Sequence, residues 1–515
     1  MGSNRTPYRD SEEPHLSLLT PSTSTSENPT TPTPKVLYTV DDLLPTEFGR
    51  HSWLLTLCCT IIYGLGGVCT GLPIFLIPDL VNEEWDLPGF HKALLSSLFF
   101  VGNLLGLLYW GAKCDHVGRL PGVRIGLAIV IFSAVITFLA WPPYTGHLLL
   151  SARLLMGFGN GAVMNSSFVL LAELTHPQHR VFAKAVQESG FTLGLFWLAI
   201  VAYLTSPWPW QTLIIAFSPV VLAVGAALAL PESPRYLVAM GDAEGALSVL
   251  RVIGKHAGCP VPPNAQLALP TGASSSPEPN ENLMRSRPSS RQGSREIPLT
   301  RRLSFVSRAA VHMGPFFPLA HRSLRRRTAL VGGAWLGTTL VYNGVLLSPV
   351  SFSSSLYAQQ ALGALSELPS YVIMHLMGDR LGRRLTWVFL LCLGGTPLLV
   401  LGLLPASYTA LVLPLYLLAR LGAAGASTLV YIAVAEQFPT TCRSLGVGYG
   451  ASCGRFGSIS SPFILLTPKP KLVLAAVSVA AAVCAWLLPE TKGKVIPDRI
   501  EDEPEEDEEP RNEVL

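Results

Sequence analysis

Charged side chains are scarce in this sequence, and the most regular of them recur in two matching patterns. Asp115 and Arg119 are spaced Asp-x-x-Gly-Arg, and the same spacing returns at Asp379 and Arg383. Carboxylates and guanidiniums about one helical turn apart form ion pairs with charge-assisted hydrogen bonds. The chemistry that these residues predict is electrostatic fastening of neighbouring segments rather than the making of bonds.

Residue patterns typical of catalysis do not occur in the sequence. It has no Gly-rich phosphate loop, no His/Cys spacing typical of a metal site and no nucleophile elbow. Its 37 Lys and Arg nearly balance its 34 Asp and Glu, so no strongly basic field favours nucleic acid. We therefore expect no enzyme, no cofactor, no metal and no nucleic-acid partner.

The elements that must position these charges are predicted to be membrane-spanning helices. The 515 residues are 49% hydrophobic and 14% charged, with a mean hydropathy of +0.40, whereas about 25% of residues are charged in soluble proteins. A helix needs about 20 apolar residues to cross a bilayer. We therefore predict an all-α membrane protein with twelve transmembrane helices, at 53–77, 92–112, 123–141, 147–170, 181–204, 209–230, 328–348, 354–376, 386–404, 407–431, 442–466 and 471–488.

Polar stretches divide the chain into five parts. Short loops after even-numbered spans carry most of the Lys and Arg, which predicts that both termini are cytoplasmic. The linker is basic and is expected to attract anionic membrane lipids, and its Ser304 is a candidate phosphorylation site. The predicted parts are a disordered cytoplasmic N-terminus at 1–50, a six-helix bundle at 51–230, a partly helical, partly disordered cytoplasmic linker at 231–326, a second six-helix bundle at 327–488 and an acidic cytoplasmic tail at 489–515.

The two bundles are predicted to be copies of one unit. The Asp115 motif returns after 264 residues (379 − 115), and Glu173 returns as Glu436 after 263 residues (436 − 173). Pro231-Glu232-Ser233 returns as Pro489-Glu490-Thr491, and Arg153 has a counterpart 267 residues later in Arg420. Four markers in one order indicate two six-helix halves in parallel pseudo-repeat.

We predict that the repeated charges form one cytoplasmic network in each half. A charge at membrane depth must find a partner, and the networks would latch the halves while the cavity faces outward and break when it faces inward. The alternative is that the charges are passive topology signals. The predicted members are Asp115, Arg119, Arg153, Glu173, Arg180, Glu232 and Arg235 in the first half, and Asp379, Arg383, Arg384, Arg420, Glu436, Arg443 and Glu490 in the second.

These motifs resemble those of a known transporter superfamily. The Gly111-x-x-x-Asp115-x-x-Gly-Arg119 loop, Pro231-Glu-Ser-Pro-Arg235 and Pro489-Glu-Thr-Lys-Gly493 look like the major facilitator superfamily. The stretch from Glu436 to Pro462 is similar to the organic ion transporters of solute carrier family 22. The resemblance implies the twelve-helix major facilitator fold, in an atypical member whose first extracellular loop is short.

The resemblance also implies a substrate site between the halves. Anion-transporting members have an Arg where this chain has Arg455, midway along the eleventh span, whereas cation-transporting members have an Asp. A guanidinium in a low-dielectric cavity favours a carboxylate or a sulfate. The alternative is that Glu367 of the eighth span neutralises Arg455 for structure alone. The predicted substrate-binding residues are Arg455, Tyr342, Asn343, Tyr371, Glu367, Trp197 and Tyr431.

The other aromatic and polar residues of this set are predicted on different grounds. Tyr342 and Asn343 occupy the place of a Tyr pair in the family's anion carriers, and Tyr371 stands where those carriers have a Lys. Trp197 and Tyr431 are chosen by their depth in the membrane alone. Packing is the alternative role for each.

Together these features predict a secondary-active or facilitative transporter of small organic ions, above all organic anions, that works by alternating access. A sugar or other neutral-solute carrier is one alternative, and a transport-inactive receptor or scaffold with the same fold is another. The first span has no Asp or Glu between Trp53 and Pro78, which favours uniport or exchange, although Glu188 and Glu367 are possible proton sites. We expect a monomer in the plasma membrane.

Overall fold

The computed structural model describes residues 37–82, 88–139, 146–205, 217–262, 264–267, 322–348, 356–405, 407–439 and 442–493. Within these ranges all long elements are helices, so the predicted all-α membrane class is confirmed. A described helix lies at each of the twelve predicted spans. Ser304, most of the Pro/Ser-rich part of the linker and the acidic run of the tail lie outside the described residues.

The first half of the structure consists of two small elements, six spans and the start of the linker. A 3₁₀ helix at Pro177–His179 precedes the fifth span. In chain order the elements are β1 (Leu37–Tyr38), α1 (Val40–Leu43), α2 (Arg50–Asn82), α3 (Gly89–Val117), α4 (Arg119–Leu139), α5 (Gly146–Leu174), α6 (Arg180–Thr205), α7 (Pro219–Ala229), α8 (Pro234–Ala239), α9 (Ala243–Ala257) and β2 (Gln266–Leu267).

The second half repeats the six spans. They are α10 (Arg322–Leu347), α11 (Leu356–Leu381), α12 (Arg383–Leu403), α13 (Thr409–Ala435), α14 (Arg443–Ile464) and α15 (Pro470–Trp486). The Asp-x-x-Gly-Arg motifs fall at the junctions of α3 with α4 and of α11 with α12, as the internal repeat requires.

Apolarity separates the spans into groups. Among the described helices, eight are long and apolar enough to cross a membrane, namely α2 to α6, α10, α12 and α13, while α7 and α15 are apolar but shorter. The other two spans, α11 and α14, bury polar side chains, including Gln360 and Glu367 in α11 and Ser458 in α14. Because polar groups at membrane depth must face protein or a cavity, α11 and α14 belong to the interior of the bundle.

Glycines let the helices of each half pack backbone against backbone. A Cβ atom at Gly157 of α5 would lie 2.0 Å from the carbonyl oxygen of Phe99 in α3. In the second half, a Cβ atom at Gly422 of α13 would lie 2.4 Å from the nitrogen of Gly394 in α12. This close approach gives the helices many dispersion contacts. Such contacts stabilise helix packing in a membrane, because burying apolar side chains away from lipid yields no hydrophobic free energy.

Residues 37–43, which belong to the segment predicted to be disordered, form β1 and α1. Strand β1 pairs in parallel with β2, with Leu37 opposite Gln266. Leu43 and Leu44 are buried in a small apolar cluster with Leu250 of α9. The Ser/Thr/Pro-rich composition of the N-terminal segment as a whole suggests disorder, but it does not reflect these leucines. Their burial removes apolar surface from water and stabilises the segment.

Candidate functional site

The first repeated motif forms an ion-pair network at one end of the bundle, which we call the Gly-Arg end after Gly118-Arg119 and Gly382-Arg383. Nε of Arg119 lies 3.1 Å from Glu173, and its Nη2 lies 3.1 Å from Asp115. Its Nη1 donates to the carbonyl oxygen of Cys114 at 3.1 Å. One guanidinium thus joins α3, α4 and α5.

The second motif makes the same contacts in the other half. Nε of Arg383 lies 3.2 Å from Glu436, and its Nη1 lies 3.1 Å from Asp379. The same Nη1 donates to the carbonyl oxygen of Gly378 at 2.7 Å. The equivalent geometry of the two sites supports the duplication inferred from the sequence. Each of these ion pairs lies within one half of the protein.

Glu232 and Glu490 cap helices and form no ion pair with an arginine among the described residues. Glu232 accepts from the backbone N–H of Arg119 at 3.1 Å, and Glu490 accepts from that of Arg383 at 2.9 Å. A carboxylate at a helix N-terminus satisfies N–H groups that have no partner within the helix and complements the helix dipole. Both glutamates therefore belong to the predicted networks as N-terminal caps of α4 and α12.

The glycines of the motifs leave room for these caps. Gly118 has a φ of 108° and Gly382 a φ of 94°, which non-glycine residues rarely adopt. A Cβ atom at Gly118 would lie 2.5 Å from Glu232, and one at Gly382 would lie 2.6 Å from Glu490. In each motif, the glutamate can therefore cap the helix only when a glycine occupies this position.

Arg180 and Arg235 pair with a carboxylate that the sequence analysis missed. Asp41 of α1 accepts from Arg180 at 3.0 Å and also pairs with Arg235. Asp41 lies in a segment predicted to be disordered. The available signal was the neighbouring Thr39-x-x-Asp42 pattern, which forms a capping box at the start of α1.

Arg384 and Arg443 do not enter the ion pairs of the second network. The guanidinium of Arg384 lies over the ring of Trp486, 5.0 Å from its centroid. Nε of Arg384 and Nε of Arg443 are both buried without a hydrogen-bond partner in the described part of the chain. The contact of Arg384 with this network, as far as the described residues show, is its backbone N–H, which donates to Glu490 at 3.1 Å.

The assignment of Arg153 to the network at the Gly-Arg end is wrong. It precedes Glu173 by 20 positions (173 − 153) on one continuous helix, a separation of about 30 Å along the axis. Its guanidinium is fully buried, donates to the carbonyl oxygen of Cys69 at 3.0 Å and lies 4.7 Å from the centroid of the Phe99 ring. Nη2 of Arg153 has no hydrogen-bond partner among the described residues.

The assignment of Arg420 to that network is also wrong, because Arg420 pairs with Glu367 deep in the second half. Nε of Arg420 donates to Glu367 at 2.6 Å, and both side chains have no exposed surface. Its Nη1 donates to the hydroxyl of Tyr416 at 3.0 Å. The Thr192 hydroxyl of the first half donates to Glu367 at 2.9 Å. Glu367 therefore neutralises Arg420 and is unavailable to Arg455.

A central cavity of about 120 Å³ lies between the two halves. Five of the predicted substrate residues line it, whereas Glu367 and Trp197 do not. Trp197 is wrong as a cavity residue, because it is 38% exposed on the surface of the bundle. The main polar and aromatic lining residues are Tyr63, Asn103, Asn160, Glu188 and Phe191 from the first half, and Thr339, Tyr342, Asn343, Tyr371, Tyr431, Arg455 and Ser458 from the second.

Arg455 is the cation of this cavity. Within the described ranges, no carboxylate lies at ion-pair distance from its guanidinium. Two other lining residues form hydrogen bonds: Asn343 donates to the Ser458 hydroxyl at 3.1 Å, and Tyr342 donates to Glu367 at 3.3 Å. The lining thus combines a guanidinium that has no ion-pair partner among the described residues with hydrogen-bonded polar groups, an arrangement suited to an anionic group.

A second cavity of about 770 Å³ continues from the first toward the Gly-Arg end. It shares Glu188, Tyr371, Thr428 and Tyr431 with the central cavity. Near the Gly-Arg end its walls include Arg180 of α6 and Glu436 beside α13. The central cavity therefore opens toward the Gly-Arg end.

At the opposite end the two halves are in contact. Phe75 of α2 stacks on Tyr357 of α11 with ring centroids 5.7 Å apart, and Phe90 of α3 meets the ring of Phe463 in α14 at 5.8 Å. The structure therefore has one closed end and one open end, while the ion pairs at the open Gly-Arg end remain formed within each half. The predicted latch between the halves stays a prediction, since these pairs join helices of the same half.

Two pseudo-symmetric six-helix halves around a polar cavity define a membrane transporter. The sequence profile described as Major Facilitator Superfamily matches residues 56–374. The fold resembles the xylose transporter XylE of E. coli in its inward open conformation, with a TM-score of 0.62 and 17% identity over 86% of this chain and 98% of that one.

Similar proteins of known family show which branch of this superfamily the chain is related to. Solute carrier family 22 member 15 of Xenopus tropicalis is 30% identical over 439 residues, which are 82% of this chain and 74% of that protein. The Beta-alanine transporter of Drosophila melanogaster is 27% identical over 82% of this chain, which spans 66% of that protein's length. The chain belongs to the major facilitator superfamily and is related to the organic cation and anion transporters of solute carrier family 22.

Proposed function

We propose that this protein carries small organic anions across a membrane by alternating access, with the anionic group of the substrate bound at Arg455. The observation that carries the proposal is the position of Arg455, which lines the cavity between the halves without a carboxylate partner in the described part of the chain. An ionisable residue inside a transporter marks the substrate pathway by default. A guanidinium that lines a cavity without an ion-pair partner gains from a ligand that supplies the negative charge.

The rest of the cavity suits such a ligand. Tyr342, Asn343 and Tyr371 line the same space as Arg455. Tyrosine offers an apolar ring and one hydrogen bond, which fits organic rather than inorganic anions. The relatives include the Beta-alanine transporter and the Organic cation transporter protein of Drosophila melanogaster, whose names support a charged organic substrate.

The conformational cycle follows from the two ends of the bundle. The Lys and Arg of the even-numbered loops favour a cytoplasmic Gly-Arg end, cytoplasmic termini and, by extension, an inward-open state for this structure. In the outward-open state the aromatic contacts at the opposite end would part. Asp115 and Asp379, which are 68% and 59% exposed, would then approach the facing half and latch it. We place the protein in the plasma membrane and favour uniport or exchange.

Uptake into proteoliposomes tests the proposal. The purified protein is reconstituted and assayed with labelled monocarboxylates, organic amines and neutral sugars, alongside Arg455→Gln and the control Arg251→Gln. Arg251 lies exposed on the linker helix α9, away from the cavity. We expect anion uptake that Arg455→Gln lowers at least about tenfold, the value of a lost charged hydrogen bond, and that Arg251→Gln leaves unchanged.

Other outcomes separate the alternatives. Sugar uptake that is insensitive to Arg455→Gln would indicate a neutral-solute carrier. Absence of uptake for every probe, from protein that remains monodisperse, would favour a transport-inactive receptor or scaffold.

A further inference from the structure

The two copies of the repeated unit differ at one corner of the Gly-Arg end. At four matched positions the second half has a cation or a tryptophan that the first half lacks. From first half to second, the exchanges are His116 to Arg380, Leu120 to Arg384, Pro234 to Lys492 and Leu228 to Trp486. Their offsets of 264 (380 − 116) and 258 (492 − 234) are those of the motifs beside them. Both halves nevertheless form the same ion pairs and glutamate caps, so the fold does not require the exchanged side chains.

The exchanges reverse the formal net charge of this corner. In the first half the matched motif positions hold one cation, Arg119, and three carboxylates, which gives −2 (1 − 3) with histidine neutral. In the second half they hold four cations and three carboxylates, which gives +1 (4 − 3). The carboxylates are Asp115, Glu173 and Glu232 in the first half and Asp379, Glu436 and Glu490 in the second. The second-half corner therefore attracts anions.

The three added cations lie close together around Glu490. The carboxylate of Glu490 accepts from the backbone N–H of Arg384 and from that of Lys492, each at 3.1 Å. Nζ of Lys492 donates to the carbonyl oxygen of Arg380 at 2.7 Å. In the part of the chain that the structure describes, none of these three side chains forms an ion pair, and the nearby Asp379 is paired with Arg383. Their positive charge is therefore available to a partner.

The cluster borders the apolar outer surface of the bundle. Arg384 lies in the first turn of α12, and its guanidinium lies 5.0 Å from the ring centroid of Trp486, the last residue of α15. Trp486 is 51% exposed, and Val479 and Val483, which share its face of α15 at helical spacing, are exposed as well. Tryptophan at the end of a span is typical of the membrane–water interface. The cations thus lie at the end of an apolar stripe that faces lipid.

We propose that the corner formed by Arg380, Arg384, Trp486 and Lys492 binds an anionic phospholipid from the leaflet at the Gly-Arg end. The lipid phosphate would accept from Arg384 and Lys492, since guanidinium and ammonium groups both bind phosphate. The acyl chains would lie along the exposed valines of α15. Basic pockets between transmembrane helices bind acidic headgroups in this way. This lipid site is separate from the central cavity and goes beyond the proposed function.

Retention of lipid by the purified full-length protein tests the proposal. The detergent-solubilised protein is incubated with an equal mixture of phosphatidylcholine and phosphatidylserine with the same acyl chains, and the bound lipids are counted by native mass spectrometry. We expect phosphatidylserine to be retained in excess. Arg384→Leu, which copies the first-half residue Leu120, should lower phosphatidylserine retention by about fivefold, the contribution of one cation near an acidic lipid. Retention of phosphatidylcholine should stay the same.

Two controls separate a built site from general attraction. Lys113→Leu removes an exposed cation at the Gly-Arg end of α3 in the first half, and it should leave the phosphatidylserine excess unchanged. Glycerophosphoserine, which is the same headgroup without acyl chains, should not displace the bound lipid at equal concentration. Where Arg384→Leu does not fold, Trp486→Leu and Lys492→Gln replace it, and each should lower phosphatidylserine retention.

Three results would overturn the proposal. The first is a wild type that retains both lipids equally. The second is a folded Arg384→Leu protein with the wild-type excess, or an excess that Lys113→Leu lowers as much as Arg384→Leu, because attraction would then be spread over the whole basic surface. The third is displacement by glycerophosphoserine, which would indicate a site for a soluble phosphate ester rather than a lipid.

Discussion

Arg420 donates to Glu367 across 2.6 Å in the interior of the second half, where neither side chain has any exposed surface. This pair occupies the carboxylate of Glu367, which is therefore unavailable to Arg455. It also leaves Arg455 as the guanidinium of the cavity. The ion pair between Arg420 and Glu367 therefore affects the charge of the cavity in which the substrate binds.

Breaking this pair should destabilise the protein strongly. Glu367→Gln leaves the guanidinium of Arg420 buried without a counter-ion, at an expected cost of about 3–5 kcal/mol. The thermal unfolding midpoint of the detergent-solubilised protein should fall well below that of the wild type. The double variant Glu367→Gln/Arg420→Met should recover part of the loss, because it removes the unpaired charge. A double variant less stable than both single variants would contradict the pairing.

Replacement of Arg153 by methionine should have a smaller effect than replacement of Arg420 by methionine. It is as buried as Arg420, but the partners described for it are backbone carbonyl groups, a thioether and the ring of Phe99. Replacing Arg153 with an apolar side chain of similar volume leaves no unpaired charge behind, because no ion pair is described for it. Arg153→Met should thus change the unfolding free energy by no more than about 1 kcal/mol. A loss as large as that of Arg420→Met would indicate a carboxylate partner.

The glycine of the second motif should tolerate no side chain. Gly382→Ala forces a Cβ atom to within 2.6 Å of Glu490 at a φ of 94°. Left-handed backbone alone costs an L-residue about 1–2 kcal/mol, and displacement of the cap adds to it. Gly378→Ala is the matched control, because a Cβ atom there meets nothing within 4 Å. The thermal midpoint should fall for Gly382→Ala and stay level or rise for Gly378→Ala, and equal midpoints would refute the cap.

Asp41 should hold the N-terminal segment to the bundle without determining global stability. Its partners Arg180 and Arg235 are 28% and 34% exposed, so the pairs are partly screened by water. Asp41→Asn should lower hydrogen-exchange protection of residues 37–49 by up to about fivefold, since pairs of this kind contribute roughly 1 kcal/mol or less. Glu47→Gln, at an exposed site of the same segment, is the control. Unchanged protection in Asp41→Asn would show that the apolar cluster alone holds the segment.

Much of this fold is predictable from the sequence because its dominant signals are local. Apolar runs fix the spans, and repeated motifs fix the two halves. The contacts of Arg119 and Arg383 follow as well, since each arginine lies four residues after its aspartate at a helix end.

The partners of the deep arginines are not predictable in this way. Whether Arg420 meets Glu367 or a carboxylate at the Gly-Arg end depends on the rotation and height of α11 and α13, which are tertiary properties. The same holds for Trp197. The sequence places it correctly within a span, but its side chain lies on the outer face of the helix. Asp41 was missed because its segment is ordered by contacts with α9, far away in sequence.

The role of Arg455 as the anion-binding group is the central claim, and a charge reversal tests it most directly. The ratio of labelled monocarboxylate uptake to labelled organic amine uptake is measured in proteoliposomes for the wild type and for Arg455→Asp, each checked for monodispersity. We predict that the wild type favours the carboxylate and that Arg455→Asp inverts the ratio, because the cavity would then hold two carboxylates and no guanidinium. A folded Arg455→Asp protein that keeps the wild-type ratio would contradict the account.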